Sequence, residues 1–589
     1  MSTRQSRLLT AIIVALIAAA PFYLAPFSIT LLNYIGIYAF VALGLVLLTG
    51  IGGLVSFGQA SFMGIGAYAT AWLSAKMGYS PWLGLGLALA ATATVAAVLG
   101  AVTLRLQGHF LSLSTIAWGL AIYFAFGNIE ELGQYNGITS VPPISIGPID
   151  LEHSEEIYYL IWAALLLAML LSRNLLDSRA GRAMRALRGG EAMVESLGIN
   201  VFRTRLVIFV VAALLAAVAG WLYAHMNRIV SPTPFDVTMS IEYLMMAMVG
   251  GSGYLLGAVV GAGLITLMKN AVQDYLPLIA PGASGRLEIV VFSILFILFL
   301  QYARDGIVPF VAQWLPEPKR TPPPEMPPLP RRAQPAPGRS LLRVESAVRR
   351  FGGLVAVNDV SFDLRAGEIL GLIGPNGAGK TTMFNLITGA LRASSGRVVF
   401  AGKDITHVSA HTIARGGIAR TFQHVKLRPK MSLLDNVLLG AYGRTRAGFL
   451  SGALRLDRAE ERRTRHEAMR QLDRVGLGAR PYDLAGNLPL GNQRILEIAR
   501  ALAADPILLV LDEPAAGLRR QEKLALADLL RTLRSEGLTI LLVEHDMDFV
   551  MGLVDRIVVM DFGCKLCEGA PEAVRTDARV QEAYLGGVV

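Results

Sequence analysis

The sequence predicts two unlike halves: an N-terminal all-α polytopic membrane half of about ten transmembrane helices, and a C-terminal α/β phosphate-loop domain with a helical subdomain. Three observations carry this. Charge is unequally divided: of 54 Lys/Arg and 44 Asp/Glu, 15 of each lie in residues 1–318, leaving 39 basic and 29 acidic residues for 319–589 and placing the whole net charge of +10 there. Apolar runs long enough to cross a bilayer, about 20 residues, fill the first part. The second part holds G-x-x-x-x-G-K-[ST] between a strand pattern and a helix pattern. A chain of 589 residues exceeds one compact core. A secreted disulfide scaffold, a disordered chain and a purely soluble enzyme are excluded. The expected division is a membrane domain over 1–313, a proline-rich linker over 314–339 and a soluble domain over 340–589.

In the membrane half the apolar runs fall at 8–24, 31–48, 54–73, 82–104, 110–126, 157–171, 206–224, 241–267 and 287–302. Arg4 and Arg7 precede the first, which is too long for a signal peptide and lacks a small-x-small cleavage site. Orientation follows Lys and Arg. Arg173, Arg179, Arg182, Arg185, Arg188, Arg203 and Arg205 crowd one connection, which should be cytoplasmic. The connection 128–156 has no Lys or Arg and should face out. Nine runs would leave the chain outside, yet a phosphate-loop domain must meet cytoplasmic nucleotide. One crossing is therefore hidden, expected within 231–270 where Gly250, Gly251 and Gly253 interrupt the run. Gly50, Gly52, Gly53, Gly58, Gly64, Gly66, Gly257 and Gly261 suit close helix packing. Asn33, Gln59, Ser61, Ser112, Ser114, Thr115 and Glu242 are polar groups in apolar runs, which face a cavity or a partner helix.

Ten of the 22 residues 316–337 are proline. Such a stretch favours extended polyproline II and reads as a semi-rigid tether spanning up to about 70 Å. The only two cysteines, Cys564 and Cys567, lack a second Cys/His pair and read as incidental buried thiols.

The soluble half carries the chemistry. An apolar strand over 368–374 runs into Gly374-Pro-Asn-Gly-Ala-Gly-Lys-Thr-Thr382, and a helical pattern starts at Met383. Backbone N–H groups around Gly374, Asn376, Gly377 and Gly379 would wrap phosphate oxygens, with the helix dipole adding to them. Lys380 would reach the β- and γ-phosphates, and Thr381, next to Thr382, would ligate Mg²⁺. A second apolar strand over 506–514 ends in Asp512, suited to the Mg²⁺ shell, and Glu513, placed to polarise an attacking water. A third, 539–543, leads to Glu544 and His545, a position from which a histidine can contact the γ-phosphate.

These residues resemble an ABC-transporter ATPase over essentially all of 340–589. The resemblance implies that Phe351 stacks on adenine and that Gln423, in Thr-Phe-Gln, is the Q-loop glutamine sensing Mg²⁺ and γ-phosphate. Leu488-Pro-Leu-Gly-Asn-Gln-Arg494 stands at the signature, so Gly491 and Gln493 would meet nucleotide across a dimer. There Pro489 replaces the usual serine and Leu490 a glycine. Residues 515–518 match the D-loop and His545 the switch histidine. The run 488–500 is similar to Leu-x-x-Gly-x-Gln-Arg-x-Leu-Glu-Ile-Ala-Arg of the branched-chain amino acid branch, with Ile495 the one variation, and the ending 577–586 resembles the same branch.

The membrane half adds to this. Residues 44–68 are similar to the Liv-type permeases of that branch, as are 180–188, Glu191 and Leu197-Gly-Ile-Asn200. In that family the cytoplasmic loop holds the helix that docks on the ATPase. Ala192-Met193-Val194 departs from the usual small-residue pair. The resemblance implies ATP-driven import of branched-chain amino acids by permease and ATPase in one chain. ATP and Mg²⁺ would be the cofactors, and a bacterial cytoplasmic membrane the location. Expected partners are a second permease and ATPase or a second copy, an external substrate-binding protein and membrane lipids. Urea, short amides or other amino acids are alternative substrates, and an exporter or ATP-gated channel alternative classes. No stacked aromatic pattern suggests nucleic acid.

Overall fold

The computed structural model describes residues 15, 17–106, 109–279, 285–303, 305–314 and 324–585. Most of the first apolar run, both of its arginines and linker residues 315–323 lie outside them. The chain forms two compact units: Met1–Leu176 with Phe202–Lys319, and Asp177–Val201 with Arg320–Val589.

The first unit is helical. Among the described residues six helices are long and apolar enough to cross a membrane, and Val237–Gly250 is a shorter apolar one. In chain order the helices of the first part are α1 (Pro26–Leu45, continuing as a π-helical Val46–Ile51), α2 (Gln59–Ala71), α3 (Pro81–Thr103), α4 (His109–Asn128) and α5 (Ser154–Leu176). Two short helices, α6 (Arg179–Ala186) and α7 (Glu191–Ser196), belong to the second unit. Then come α8 (Val201–Asn227), α9 (Val237–Gly250), α10 (Leu255–Ile279) and α11 (Gly285–Tyr302). Starts follow local chemistry. Pro26 and Pro81 sit where a missing N–H costs nothing, and Asp236 caps α9 by accepting from Met239 N at 2.8 Å. α1 is the most buried long helix, and its Asn33 donates to Ser154 O at 2.9 Å.

Two apolar runs are broken, one at 54–73 where the sequence reads a single span and one within 231–270 where the glycines predict an interruption. The run 54–73 becomes helical only at Gln59, because the chain turns at Gly53, whose φ is 74°. The run 241–267 is a hairpin, α9 turning into α10 at Gly251, whose φ is 115°. Glycines let the two backbones touch: a Cβ at Gly250 would lie 1.7 Å from Gly257 O, and one at Gly261 1.8 Å from Met246 O. The connection after α4 is partly ordered as β1 (Ile138–Thr139), the hairpin β2 (Ile144–Ile146) and β3 (Ile149–Leu151), with β1 pairing antiparallel to β4 (Ile229–Val230).

The second unit has an antiparallel four-stranded sheet, order β6-β5-β8-β9, from β5 (Ser340–Phe351), β6 (Leu354–Arg365), β8 (Ser395–Phe400) and β9 (Lys403–Asp404). A six-stranded sheet, order β10-β11-β12-β7-β13-β14, uses β7 (Ile369–Ile373), β10 (Ile418–Arg420), β11 (Leu508–Asp512), β12 (Thr539–Val543), β13 (Arg556–Asp561) and β14 (Cys564–Gly569). β7, β11 and β12 are buried at every residue, as parallel strands covered on both faces must be. Helices α12 (Lys380–Ile387) and α13 (Ala410–Gly416) precede a helical subdomain of α14 (Leu433–Gly440), α15 (Arg458–Arg474) and α16 (Leu490–Ala503), joined by Leu433, Val437, Leu472 and Leu496; α17 (Arg520–Ser535) follows. Cys564 is exposed and Cys567 half-buried, both free, so the expectation of buried thiols is corrected: they stand on β14 near the C-terminus.

The described part of the linker is extended but not loose. Arg332 N donates to Asp505 at 2.5 Å and Gln334 to Pro506 O at 3.2 Å, while Arg444 donates to the carbonyls of Leu329 and Pro330 at 3.3 and 3.1 Å. This half of the expected tether is a strap on its own unit.

Gly261→Ala should disrupt the α9–α10 hairpin by about 3 kcal/mol or more through overpacking. Gly253→Ala, with nothing within 4 Å of its Cβ, should be tolerated. Thermal midpoints of the detergent-solubilised protein separate the two; equal midpoints would refute the close packing.

Candidate nucleotide site

Register brings the chemistry to one edge. β11 pairs with β12 so that Asp512 is level with Val543, and β12 pairs with β7 so that Val543 is level with Leu372. The residues just beyond these ends are Gly374, Glu513 and Glu544, so phosphate loop and carboxylates emerge together. The loop turns on glycines with positive φ, 152° at Gly374, 86° at Gly377 and 94° at Gly379, conformations that side chains resist. At Gly379 a Cβ would stand 2.3 Å from Ala356 O of β6, which fixes the loop against the antiparallel sheet. That sheet ends at Phe351, exposed, with the Arg349 guanidinium 4.5 Å over its ring.

Lys380 is buried and donates to Gly374 O at 2.7 Å and Pro375 O at 2.9 Å, closing the loop on itself. Burial pushes its ammonium down, against the pull of Glu513 and Asp512. Asn376, Gly377 and Thr381 are exposed, and Thr382 is half-buried on the first turn of α12. Burial, reinforced by Glu513 and Glu544 and opposed by Arg420 and Lys380, pushes the Asp512 carboxyl up to about 6. Its Oδ1 is buried with no hydrogen-bond partner among the described residues. A buried, orphaned carboxylate oxygen fits a hard divalent cation.

Glu513 holds an uncommon backbone, φ 48°, that turns its side chain out of the strand. Gln423 donates to its Oε2 at 3.1 Å, and His545 Nδ1 lies 3.7 Å from the same oxygen. Sequence reasoning missed two supports. Arg494 donates to Glu513 O at 2.8 Å and to Gln423 O at 3.3 Å, tying the signature to both loops. Glu544, fully buried, accepts from Ala515 N at 2.7 Å and holds the turn after Glu513. Glu544 was visible at a strand end; the role of Arg494 had no sequence signal beyond its motif. At the signature Pro489 precedes the first turn of α16, Gly491 is buried against Glu522, and Gln493 turns back to donate to Leu488 O at 2.8 Å.

The arginine-rich loop also lies in this unit. Arg182, read from composition as a membrane-surface anchor, is buried and pairs bidentately with Glu461, Nη1–Oε1 2.5 Å and Nη2–Oε2 2.8 Å. Arg179 stacks 3.6 Å over Tyr442 and donates to its carbonyl and to Ala447 O. Arg415 donates to Gly198 O at 2.7 Å, and Asn200 meets His411 at 3.4 Å. The departing Met193 and Val194 are both buried.

Residues 27–300 match the family described as branched-chain amino acid transport system / permease component, 357–516 the ABC transporter family, and 564–589 the branched-chain amino acid ATP-binding cassette transporter family. The chain is 44% identical over 251 residues, 42% of it and 98% of the relative, to the high-affinity branched-chain amino acid transport ATP-binding protein LivG of Salmonella typhimurium. This chain belongs to the branched-chain amino acid ABC transporters. LivG of Escherichia coli K12 and BraF of Pseudomonas aeruginosa are 43% and 42% identical to this ABC transporter over the same shares. A solved ADP-bound ATP-binding cassette, MJ1267, matches 42% of this chain and 99% of that one at 32% identity, with a TM-score of 0.37. The transporter thus joins a membrane permease to an ATP-binding, ATP-hydrolysing cassette in one polypeptide.

The raised Asp512 value gives a signed prediction. A carboxyl that holds its proton more tightly folded than unfolded favours the fold in acid. The gain is full below 3.8 and lost as pH rises through about 6. At neutral pH the ionised group costs the metal-free fold about 3 kcal/mol. Asp512→Asn should therefore raise the thermal midpoint of metal-free protein at pH 7.5 and change it little at pH 4.5; a lowered midpoint at pH 7.5 would contradict this. Arg182→Ala leaves Glu461 with Arg465 alone, at 3.0 Å, and should cost about 1–3 kcal/mol, whereas replacing both Arg182 and Glu461 with Met should cost less. Denaturant titration measures both.

Proposed function

We propose that this chain drives import of leucine, isoleucine and valine across a bacterial cytoplasmic membrane, with the N-terminus and cassette on the cytoplasmic side. The observation that carries the reading is the joining of a branched-chain amino acid permease sequence over 27–300 to a cassette whose Lys380, Asp512, Glu513 and His545 converge at one sheet edge. In this reading Phe351 stacks on the base, the amides around Gly374, Asn376, Gly377 and Gly379 cradle phosphate, and Lys380 swings from its carbonyls to the β- and γ-phosphates. Thr381, Asp512 and Gln423 hold Mg²⁺, which when bound neutralises charge on the phosphate oxygens. Glu513 orients and deprotonates the attacking water, and His545 reports the γ-phosphate. Gly491, Gln493 and the free amides at the start of α16 meet the nucleotide of a facing cassette, where the helix dipole substitutes for the missing serine. Two cassettes are needed, so the chain pairs with a second permease and ATPase or with its own copy, and an external binding protein delivers substrate.

The complex in liposomes, supplied with its binding protein, should show leucine-stimulated ATPase and leucine uptake. Glu513→Gln should cut ATPase on the order of a hundredfold or more while retaining ATP binding. Stimulation by no amino acid would overturn the substrate; full hydrolysis in Glu513→Gln would overturn the catalytic assignment.

A further inference from the structure

The membrane unit contains a charged pair that the nucleotide chemistry does not use. Glu242 lies on α9 and Lys269 on α10, and Lys269 Nζ donates to both carboxylate oxygens, at 2.9 and 3.1 Å. Both belong to apolar helices: α9 is an apolar stretch, and 255–275 of α10 has a mean hydropathy of 1.7. At about 1.5 Å per residue Lys269 lies about 21 Å along α10 from Leu255, well inside the span. Ionised groups there are costly against acyl chains and belong in a cavity or a polar path. The Glu242 side chain keeps 18% and the Lys269 side chain 47% of its surface, so this pair is not sealed in the core. Thr266, Lys269, Asn270 and Gln273 recur at helical spacing along one stripe of α10.

The pair borders a cavity of about 180 Å³ whose other walls include Tyr34, Tyr38, Met246 and Ile265. Its aromatic side is braced: the Tyr34 and Tyr38 rings are 5.8 Å apart, Tyr38 lies 5.5 Å from Tyr243, and the Tyr34 hydroxyl donates to Asn227 at 2.6 Å. One carboxylate, one ammonium, aromatic faces and branched or thioether walls thus meet at one opening.

We propose that the Glu242–Lys269 pair is a binding station for the zwitterionic head of an apolar α-amino acid on its path through the membrane unit. The substrate ammonium takes the Glu242 carboxylate, its carboxylate takes Lys269, and its side chain lies against Met246, Ile265 and the tyrosine faces. The exchange conserves charge: one ion pair opens and two form, and on departure the protein charges close on each other rather than stand bare in a low dielectric. Tyrosine faces near the carboxylate also suit an ammonium. This station rests on the amino acid transport reading and gives its substrate a place.

The test uses the full complex in liposomes with its binding protein. It compares wild type, Glu242→Gln, Lys269→Met, the double neutral variant and the conservative Lys269→Arg. Leucine uptake, leucine-independent ATPase and subunit assembly by size exclusion are measured together. Each neutral single variant and the double variant should raise the KM for leucine about tenfold or more, the effect of losing a charge-assisted hydrogen bond. Lys269→Arg should retain most uptake, with leucine-independent ATPase and assembly unchanged throughout. Wild-type KM in the double variant would overturn the station, because a purely structural pair tolerates removal of both charges. Loss of uptake together with loss of assembly would overturn it in favour of a subunit contact. Wild-type complex that hydrolyses ATP but takes up no amino acid would overturn the transport reading itself and the station with it.

Discussion

The buried ion pair between Arg182 and Glu461 is the constraint on which the transporter's logic depends. It joins a residue of the permease sequence to one in the helical subdomain of the cassette, 279 positions away. A guanidinium removed from water requires both carboxylate oxygens, so the loop holds one arrangement against α15 rather than many. Arg179 over Tyr442 and Arg415 on Gly198 O fix its two ends, and α6 and α7 pack as parts of the cassette unit. The loop runs directly into α5 and α8 in the chain. The arginines that place this loop on the cytoplasmic side are, at positions 179 and 182, also bound to protein.

At the nucleotide end the same subdomain is wired to the reacting groups. Arg494 binds the backbone of Glu513 and of Gln423, while Arg500 and Glu497 pair, both buried, on the same helix. A shift of α16 therefore moves the carbonyls of both Glu513 and Gln423. Burial raises the Asp512 carboxyl, with Glu513 and Glu544 adding to it and Arg420 and Lys380 opposing it.

Much of the cassette was legible because its signals are local. The strands over 368–374, 506–514 and 539–543 stand within two residues of their expected positions, since unbroken apolar runs between turns have few alternatives in a parallel sheet. α12 begins at Lys380 rather than Met383 because Gly379, in the left-handed region, ends the loop there. α16 begins at Leu490 because Pro489 presets the entry. The glycines at 250, 251 and 253 marked the interruption that becomes the hairpin at Gly251, whereas hydropathy averages through the break before Gln59 and could not show that helix starts only there. Pairings such as Arg182 with Glu461 and Glu242 with Lys269 depend on tertiary placement, which no local pattern encodes.

The proline strap shows how composition can be right and its consequence different. Prolines fix extended backbone and remove N–H donors, which leaves a row of carbonyls to satisfy. In a free tether water would take them. Here Arg444 takes those of Leu329 and Pro330 while also reaching Ala503 O and lying 3.3 Å from Glu467, and Leu329 is buried. One arginine thus ties the end of the linker to α15 and α16. Stiffness lowers the entropy lost on docking, so a proline-rich segment suits a strap with a fixed landing site better than a flexible one would. The strap and the arginine-rich loop thus both attach to the helical subdomain whose Arg494 binds the backbone of Gln423 and Glu513.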